Sequence, residues 1–412
     1  MMNGAPTTMK FDSTWVRNNI FLGMTFKEYV KSNFTKFNAV VALILLLGIP
    51  VIFYRLLYGL GPSTNLSDNN PWGIWIGFDM LCGVALAAGG FVIGTAVHIF
   101  GMKEYGFLFR PAVLTGFLGY LFAIIALTFD LGRYYRLPYP MFVSWGVTSV
   151  LFLVAWHVAL YLSCQFVEWC PAIFEWLNMK RARKIFIKAT LGATIFGVCL
   201  SMLHQSALGS IFLLMPEKLH PLWYSDYIPL WFFMSAVAGG IAMTIVESAA
   251  SHRIFSHQIK VHDPDHLNRV TLGLGKAASV TLFAYFFMKV IGLAHGNNWA
   301  YLNTPYGYLY LFEVLGFVLI PALIFMYAVQ NNLVGWVRGC AVVTIVGIIL
   351  NRLDHSIIAF NWHLAWKDRY VPSWMEVVLT ITVITIGILT FQWIMNRMPI
   401  LYEHPDYEPE QH

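Results

Sequence analysis

Charge is scarce in this sequence. Only 11% of its residues are Asp, Glu, Lys or Arg, against about 25% in a soluble globular domain. That leaves too few ionic side chains to cover a water-exposed surface, which excludes an ordinary soluble fold. The basic surplus is a formal net charge of +5, spread through short segments between apolar runs, so no nucleic-acid partner is expected. Cysteine is scarce too: Cys82, Cys164, Cys170, Cys199 and Cys340 are the five. None form C-x-x-C, and C-x-x-C-H is absent. Those are the spacings by which a chain holds iron–sulfur clusters, structural zinc or covalently attached haem. No metal is therefore expected on this chain, and any metal centres would belong to partner subunits. No small-residue cleavage site follows the first apolar run, so no signal peptide is expected.

What fills the chain is apolar sequence, 58% of all residues. It falls into runs long enough to cross a hydrocarbon core of about 30 Å, which takes roughly 20 helical residues. An all-α integral membrane protein of about ten transmembrane helices is predicted. The spans are read at 38–60, 72–100, 107–129, 141–168, 184–204, 229–250, 270–294, 306–328, 335–353 and 372–396. Pro71, Pro140, Pro229, Pro305 and Pro372 stand at or just before five of the starts, where proline costs no hydrogen bond. With the N-terminus inside, sixteen Lys and Arg fall on the inner side and six on the outer, counting Arg352 at the outer end of the ninth span. The positive-inside rule then places both termini in the cytoplasm. Ahead of the first span, Thr25-Phe-Lys-Glu28 has the spacing of a capping box. Phe26, Tyr29, Phe34 and Phe37 recur among lysines there, a pattern suited to a helix lying on the inner leaflet.

A charge at mid-bilayer costs about 2.5–3.5 kcal/mol even on insertion scales, so every ionisable residue inside a span is a functional candidate. Depth along each helix sorts them. Asp130 and Arg133 are expected at the outer end of the third span, His204 and Gln205 at the end of the fifth, and Arg352, Asp354 and His355 at the end of the ninth. Asp79, Lys289 and Glu313 fall in the same outer half. His157, His98, Glu247, Lys276 and Lys188 are expected deeper or toward the cytoplasm. Pairing for helix packing, or snorkelling at span ends, is the plain explanation of each. Convergence at one depth instead suggests a site for an amphipathic carrier whose chemistry needs protons, such as a quinone. A haem b would need two histidines on facing helices at one depth. His98 and His157 mismatch by about 15 Å on helical rise, and His204 and His355 carry polar surroundings better suited to proton exchange.

Six stretches carry a family resemblance: 71-PWGIWIGFDMLCGVALAAGG-90, 129-FDLGRYYRLPY-139, 203-LHQSALGS-210, 220-HPLW-223, the segment around Glu247, and 352-RLDHSIIAF-360. Together, and in order, they resemble the NrfD/PsrC family of quinone-interacting membrane subunits, most closely its hydrogenase-2 type, HybB. The resemblance implies two four-helix bundles plus flanking helices. On that plan residues 1–36 are a cytoplasmic segment, 37–210 the first bundle with a flanking helix, 229–396 the second with another, and 397–412 a cytoplasmic tail. It also implies a subunit without metal that exchanges electrons between quinone and an iron–sulfur partner. Asp130, Arg133, Tyr139, His204 and Glu247 match the family's quinone-site or proton-transfer positions. Arg352 matches a basic position near the outer face, and Glu313 and Lys289 an acid and a base of the second half. The chain departs from the hydrogenase type at Leu153, where that type has a glutamate, and His157 stands one turn further on.

The expected function is a membrane anchor and quinone-binding subunit of a respiratory oxidoreductase in a bacterial or archaeal cytoplasmic membrane. The quinone would be menaquinone or ubiquinone, bound by Asp130, Arg133, Tyr139, His204, Gln205, Arg352 and His355. Proton exchange would involve His204, Glu247, Asp130 and His157. The expected partners are a periplasmic four-cluster ferredoxin-like iron–sulfur subunit and a catalytic subunit, such as a hydrogenase, or a multihaem cytochrome. A haem b electron-transfer subunit and a proton-coupled secondary transporter are the alternatives, although no inverted repeat of the transporter kind is visible.

Overall fold

The computed structural model describes residues 12–258, 264–402 and 407. Lys10 and Lys260, two of the positive charges expected on the inner side, lie outside the described residues, as does most of the tail after residue 402. Among the described residues ten helices are long and apolar enough to cross a membrane: α1 (Lys36–Tyr58), α2 (Trp75–Ile99), α3 (Lys103–Asp130), α4 (Val150–Trp176), α5 (Lys180–Leu213), α6 (Ile228–Ile254), α7 (Asp265–His295), α8 (Pro305–Gln330), α9 (Val334–Ile358) and α10 (Trp374–Met395). The chain is an all-α, multi-pass membrane protein.

Local chemistry sets most of the helix ends. Thr25 and Glu28 form the reciprocal capping box of a short helix, Phe26–Ser32, with Glu28 accepting from the Thr25 amide at 2.8 Å. Ser373 and Glu376 repeat the device at the start of α10. Pro229 and Pro305 occupy first-turn positions of α6 and α8.

Two spans differ from their sequence reading. The fourth starts at Val150 rather than 141, because Tyr139–Phe142 is a separate short helix followed by a non-helical stretch to Ser149. The fifth runs 34 residues, far beyond 184–204. Hydropathy cuts both helices at polar residues that are in fact satisfied inside the protein. At the inner end Glu175 receives Arg110 at 2.9 Å and Arg183 at 3.1 Å. His204 and Gln205, placed at a helix end by sequence, sit two turns inside α5 and are 0% and 1% exposed.

Helices α4 and α5 form a tight antiparallel hairpin; α2 and α3 pack beside it, α5 passes onto α6, and α6 to α9 form a second group. The tenth span does not stay with residues 229–396. It packs along α1 and α3, so the two flanking helices pair with each other on one side of the molecule. The seam between the groups is the crossing of α2 and α6. There a Cβ on Gly240 would lie 2.7 Å from the Gly89 amide nitrogen, so only glycine lets the two backbones approach this closely.

Four turns are wound as π-helix: Trp75–Met80, Thr95–Ile99, Phe312–Leu319 and Asp354–Ile358. Each carries an ionisable candidate, namely Asp79, His98, Glu313, and Asp354 with His355. A π turn inserts one residue and rotates the side chains that follow, which is why such turns gather at functional positions.

Candidate functional site

The buried polar residues gather in three places, not one. At the end of the first helix group that carries the α3–α4 connection lies a cavity of about 210 Å³. Met80 and Val84 of α2, Ala123, Ile124 and Leu127 of α3, and Val154, Ala155, Val158 and Ala159 of α4 form its walls. Leu137, Pro138 and Met141 from the connection after α3 close it. Every lining residue is apolar. Ligand sites usually enclose about 300–1,000 Å³, so this space suits a head group whose tail stays in lipid.

Behind the wall of this cavity, joined to it through Val84, stands a hydrogen-bonded set. His204 Nδ1 lies 2.7 Å from the Leu200 carbonyl, and Nε2 lies 2.6 Å from the Tyr120 hydroxyl. A carbonyl can only accept, so Nδ1 carries the proton, and Tyr120 donates its O–H to Nε2. Gln205 donates to the Tyr120 oxygen at 3.1 Å and to the carbonyl of Val84, a cavity residue, at 3.0 Å. Tyr161 lies against both the Tyr120 and His204 rings, with centroids 4.8 and 5.3 Å away. His157 stands one turn outward from Tyr161, only seven residues past the start of α4. That corrects its expected depth: it shares the level of His204 and lies within its electrostatic reach.

Below, the same face of α4 continues through Gln165 and Glu168, at helical spacing from Tyr161. Gln165 donates to the Tyr161 hydroxyl at 3.1 Å, and Glu168 accepts from Thr194 at 2.5 Å. Glu247 is buried at the seam between the groups, against Ala87, Gly89, Thr115 and Gly116. Its Oε1 accepts from Ser251 at 2.7 Å, and its Oε2 has no hydrogen-bond partner. Gln165 packs on Gly116 from the other side, with its Nε2 in the space a Cβ would need. Lys276 lies on an exposed face of α7, and among the described residues no ion pair joins it to Glu247.

The second place lies among α6 to α9. Glu313 accepts from Asn351 at 2.6 Å and from Trp223 at 2.7 Å, with Lys289 3.9 Å away. Arg352 donates to Asn351, Ser235 and the Phe232 carbonyl. Asp354 and His355 adjoin, both 0% exposed. An aromatic cap from the α5–α6 and α9–α10 connections and the start of α8 covers this cluster. His220 stacks on Tyr306 and meets Trp362 edge-on, and Arg369 donates to the Tyr306 hydroxyl. Burial in that cap pushes the His220 imidazole down to about 4, so it is neutral there, and its Nδ1 accepts from the Leu222 amide at 3.2 Å.

The third place is where the flanking helices meet α2 and α3. Asp79 accepts from Thr380 at 2.8 Å. Arg55 of α1 donates to the Phe129 and Leu131 carbonyls on either side of Asp130. Arg133 and Tyr139 are exposed in the outer connection. His204, Asp130 and Arg352, expected in a single pocket with Arg133, instead sit in three separate hydrogen-bonded sets, and Arg133 is exposed. Tyr120, Tyr161, Gln165, Glu168 and Arg55 were missed by sequence reasoning. The spacing His157, Tyr161, Gln165, Glu168 is a readable helical stripe, but the reading of α4 placed its start nine residues too early.

The match to known families decides the identity. Residues 62–359 match the family described as Polysulphide reductase, NrfD. The chain belongs to the NrfD family. A Nitratidesulfovibrio vulgaris protein is 47% identical over 381 residues, 92% of this chain and 97% of its own length. An Escherichia coli relative, described as a probable Ni/Fe-hydrogenase 2 b-type cytochrome subunit, is 30% identical over 85% of this chain and 88% of its own. A further N. vulgaris relative, a menaquinone reductase integral membrane subunit, is 27% identical over 84% of this chain and 87% of its own. As an NrfD-family protein the chain falls among the membrane subunits of reductase complexes.

Proposed function

We propose that this NrfD-family chain is the quinone-reactive membrane subunit of a respiratory oxidoreductase, with its head-group site in the cavity between α2, α3 and α4. One observation carries the reading: an apolar recess of head-group size is joined, through the Val84 carbonyl in its wall, to a hydrogen-bonded Tyr120–His204–Gln205 set. A quinone bound there accepts or gives up two electrons with two protons. Tyr120 and His204 hold a proton between them in a short hydrogen bond, and Gln205 fixes the hydroxyl in place. Tyr161 packs on that couple and accepts from Gln165, and Gln165 and Glu247 both adjoin Gly116, so polar side chains continue from there toward the seam and the inner half.

The names of the relatives support menaquinone as the carrier and a hydrogenase or another reductase as the electron partner. A periplasmic four-cluster ferredoxin-like subunit would link that partner to the cavity. Both termini lie in the cytoplasm in this reading, and the cavity opens in the outer half of the membrane. A reporter fused after Arg397 is expected to be active only as a cytoplasmic reporter; periplasmic activity there would exchange the inner and outer ends of every helix.

A haem ligated by His204 fits poorly. His157 and His204 share a depth, yet both ring nitrogens of His204 are already bonded, at 2.6 and 2.7 Å, which leaves none for iron. Filling the cavity tests the quinone site. Ala155→Trp in the intact complex is expected to remove at least about 90% of quinone-linked turnover, by excluding the head group from a site of limited volume. Reduction of artificial dyes by the complex should continue. Wild-type quinone activity in a folded Ala155→Trp complex would move the site elsewhere.

A further inference from the structure

The cluster among α6 to α9 lies apart from the cavity, and the quinone reading uses none of it. Lys289, Glu313, Arg352, Asp354 and His355 are each 0–1% exposed. Two of them are fully engaged. Arg352 is satisfied by Asn351, Ser235 and Phe232, and Glu313 receives Asn351 and Trp223. The rest are not. Lys289 Nζ sits 4.3 Å above the Trp231 ring and 3.9 Å from Glu313, outside hydrogen-bond range. Both carboxyl oxygens of Asp354, Lys289 Nζ and His355 Nε2 lack any hydrogen-bond partner. Asp354 lies within electrostatic reach of Lys289 and in contact with Glu313. Buried polar atoms are nearly always satisfied, so four orphans in one place call for a cause other than packing.

Charge arithmetic supplies it. Arg352 keeps its charge under all ordinary conditions, and one carboxylate, Glu313, matches it. Lys289 and Asp354 remain. As ammonium and carboxylate they sum to zero; as amine and carboxylic acid they also sum to zero. Burial penalises an uncompensated ion heavily, and it distinguishes these two states far less. We propose that Lys289 and Asp354 form a proton-exchange pair in the second helix group, with Glu313 as the acceptor between them. In the step, an N–H bond of Lys289 breaks and an O–H bond forms on the Glu313–Asp354 carboxyl pair; no electrons change owner. The groups facing the pair are Tyr285 from α7, Tyr310 from α8, Arg352 and His355 from α9, and Trp223 from the outer connection. Groups left without fixed partners are free to bond in whichever protonation state they hold, which accounts for the orphaned atoms. The pair does not depend on a quinone in the α2–α4 cavity.

Infrared spectroscopy of the intact complex in membrane vesicles, with hydrogen–deuterium exchange, tests the exchange pair. The wild type is expected to show a deuterium-sensitive carboxylic acid C=O band that disappears in Asp354→Asn. Lys289→Met should at least preserve the band, because without the amine a carboxyl must keep the proton to hold the cluster neutral. If Asp354→Asn fails to assemble, the double variant Lys289→Met with Asp354→Asn keeps neutrality, and the band should be absent from it. Ala155→Trp should leave the band in place, so failure of the cavity reading does not erase it. A wild type that lacks the band, with the band appearing only in Lys289→Met, would mean a static ion pair and overturn the proposal.

Discussion

His204→Ala is expected to lower quinone-linked turnover by roughly 10²–10⁴-fold, the range for losing a positioned proton-transfer group, while the complex still reduces artificial dyes. The expectation rests on a fixed tautomer. Leu200 holds the Nδ1 proton at 2.7 Å, so Nε2 faces Tyr120 as a base at 2.6 Å. Removing the ring leaves the Tyr120 hydroxyl with Gln205 as donor and no acceptor. It also opens space among side chains that are 0–2% exposed, so some loss of stability is expected from the cavity alone. Tyr120→Phe separates the two effects. It keeps the ring packing on Tyr161 and His204 but deletes the proton held between them, and it should slow turnover with little change in assembly. Undiminished quinone turnover in either folded variant would remove this couple from the chemistry.

The second large effect is expected at Glu247. In Glu247→Gln, turnover should fall by roughly a hundredfold with assembly intact, since a relay carboxyl that cannot release a proton stops the supply. Glu247→Asp should keep partial activity. The carboxyl sits where α6 meets α2 and α3, with one oxygen bonded to Ser251 at 2.7 Å and the other facing the seam without a partner. A purely structural role predicts the reverse, because glutamine can still accept from Ser251 and should turn over normally. Lys276 provides a control. It lies on an exposed face of α7, where a lysine stem snorkels, so Lys276→Met should leave turnover unchanged. Normal turnover with a normal pH response in well-folded Glu247→Gln would end the relay reading.

Much of the fold was legible in the residues themselves. Ten spans follow from the length of apolar runs, since a helix must satisfy its own backbone in lipid. The Thr25–Glu28 box and the prolines at the starts of α6 and α8 mark ends by local hydrogen bonding alone. The intrusion of acids, bases and imidazoles into those spans was equally visible, because their cost in lipid depends on depth and not on fold. Where the charges find partners inside the protein, the same reasoning failed. Glu175 with Arg110 and Arg183, and His204 with Tyr120, made α4 and α5 seem to end early.

Which polar residues meet was decided only by the tertiary structure. Membership of a helix fixes a side chain's depth, but its direction depends on the rotation of that helix against its neighbours, and sequence spacing does not set that rotation. The π turns at 75–80, 312–319 and 354–358 shift the register of Asp79, Glu313, Asp354 and His355 by backbone winding that no residue pattern announces. Tyr120, one aromatic among many on α3, becomes the partner of His204 across 84 residues of chain. Lys276 and Lys289 share one helix and similar chemistry, yet one faces outward and the other is 0% exposed beside Glu313. Composition and periodicity determined that this chain lives in a membrane and which residues are too costly there to be idle; packing between helices determined which of them act together.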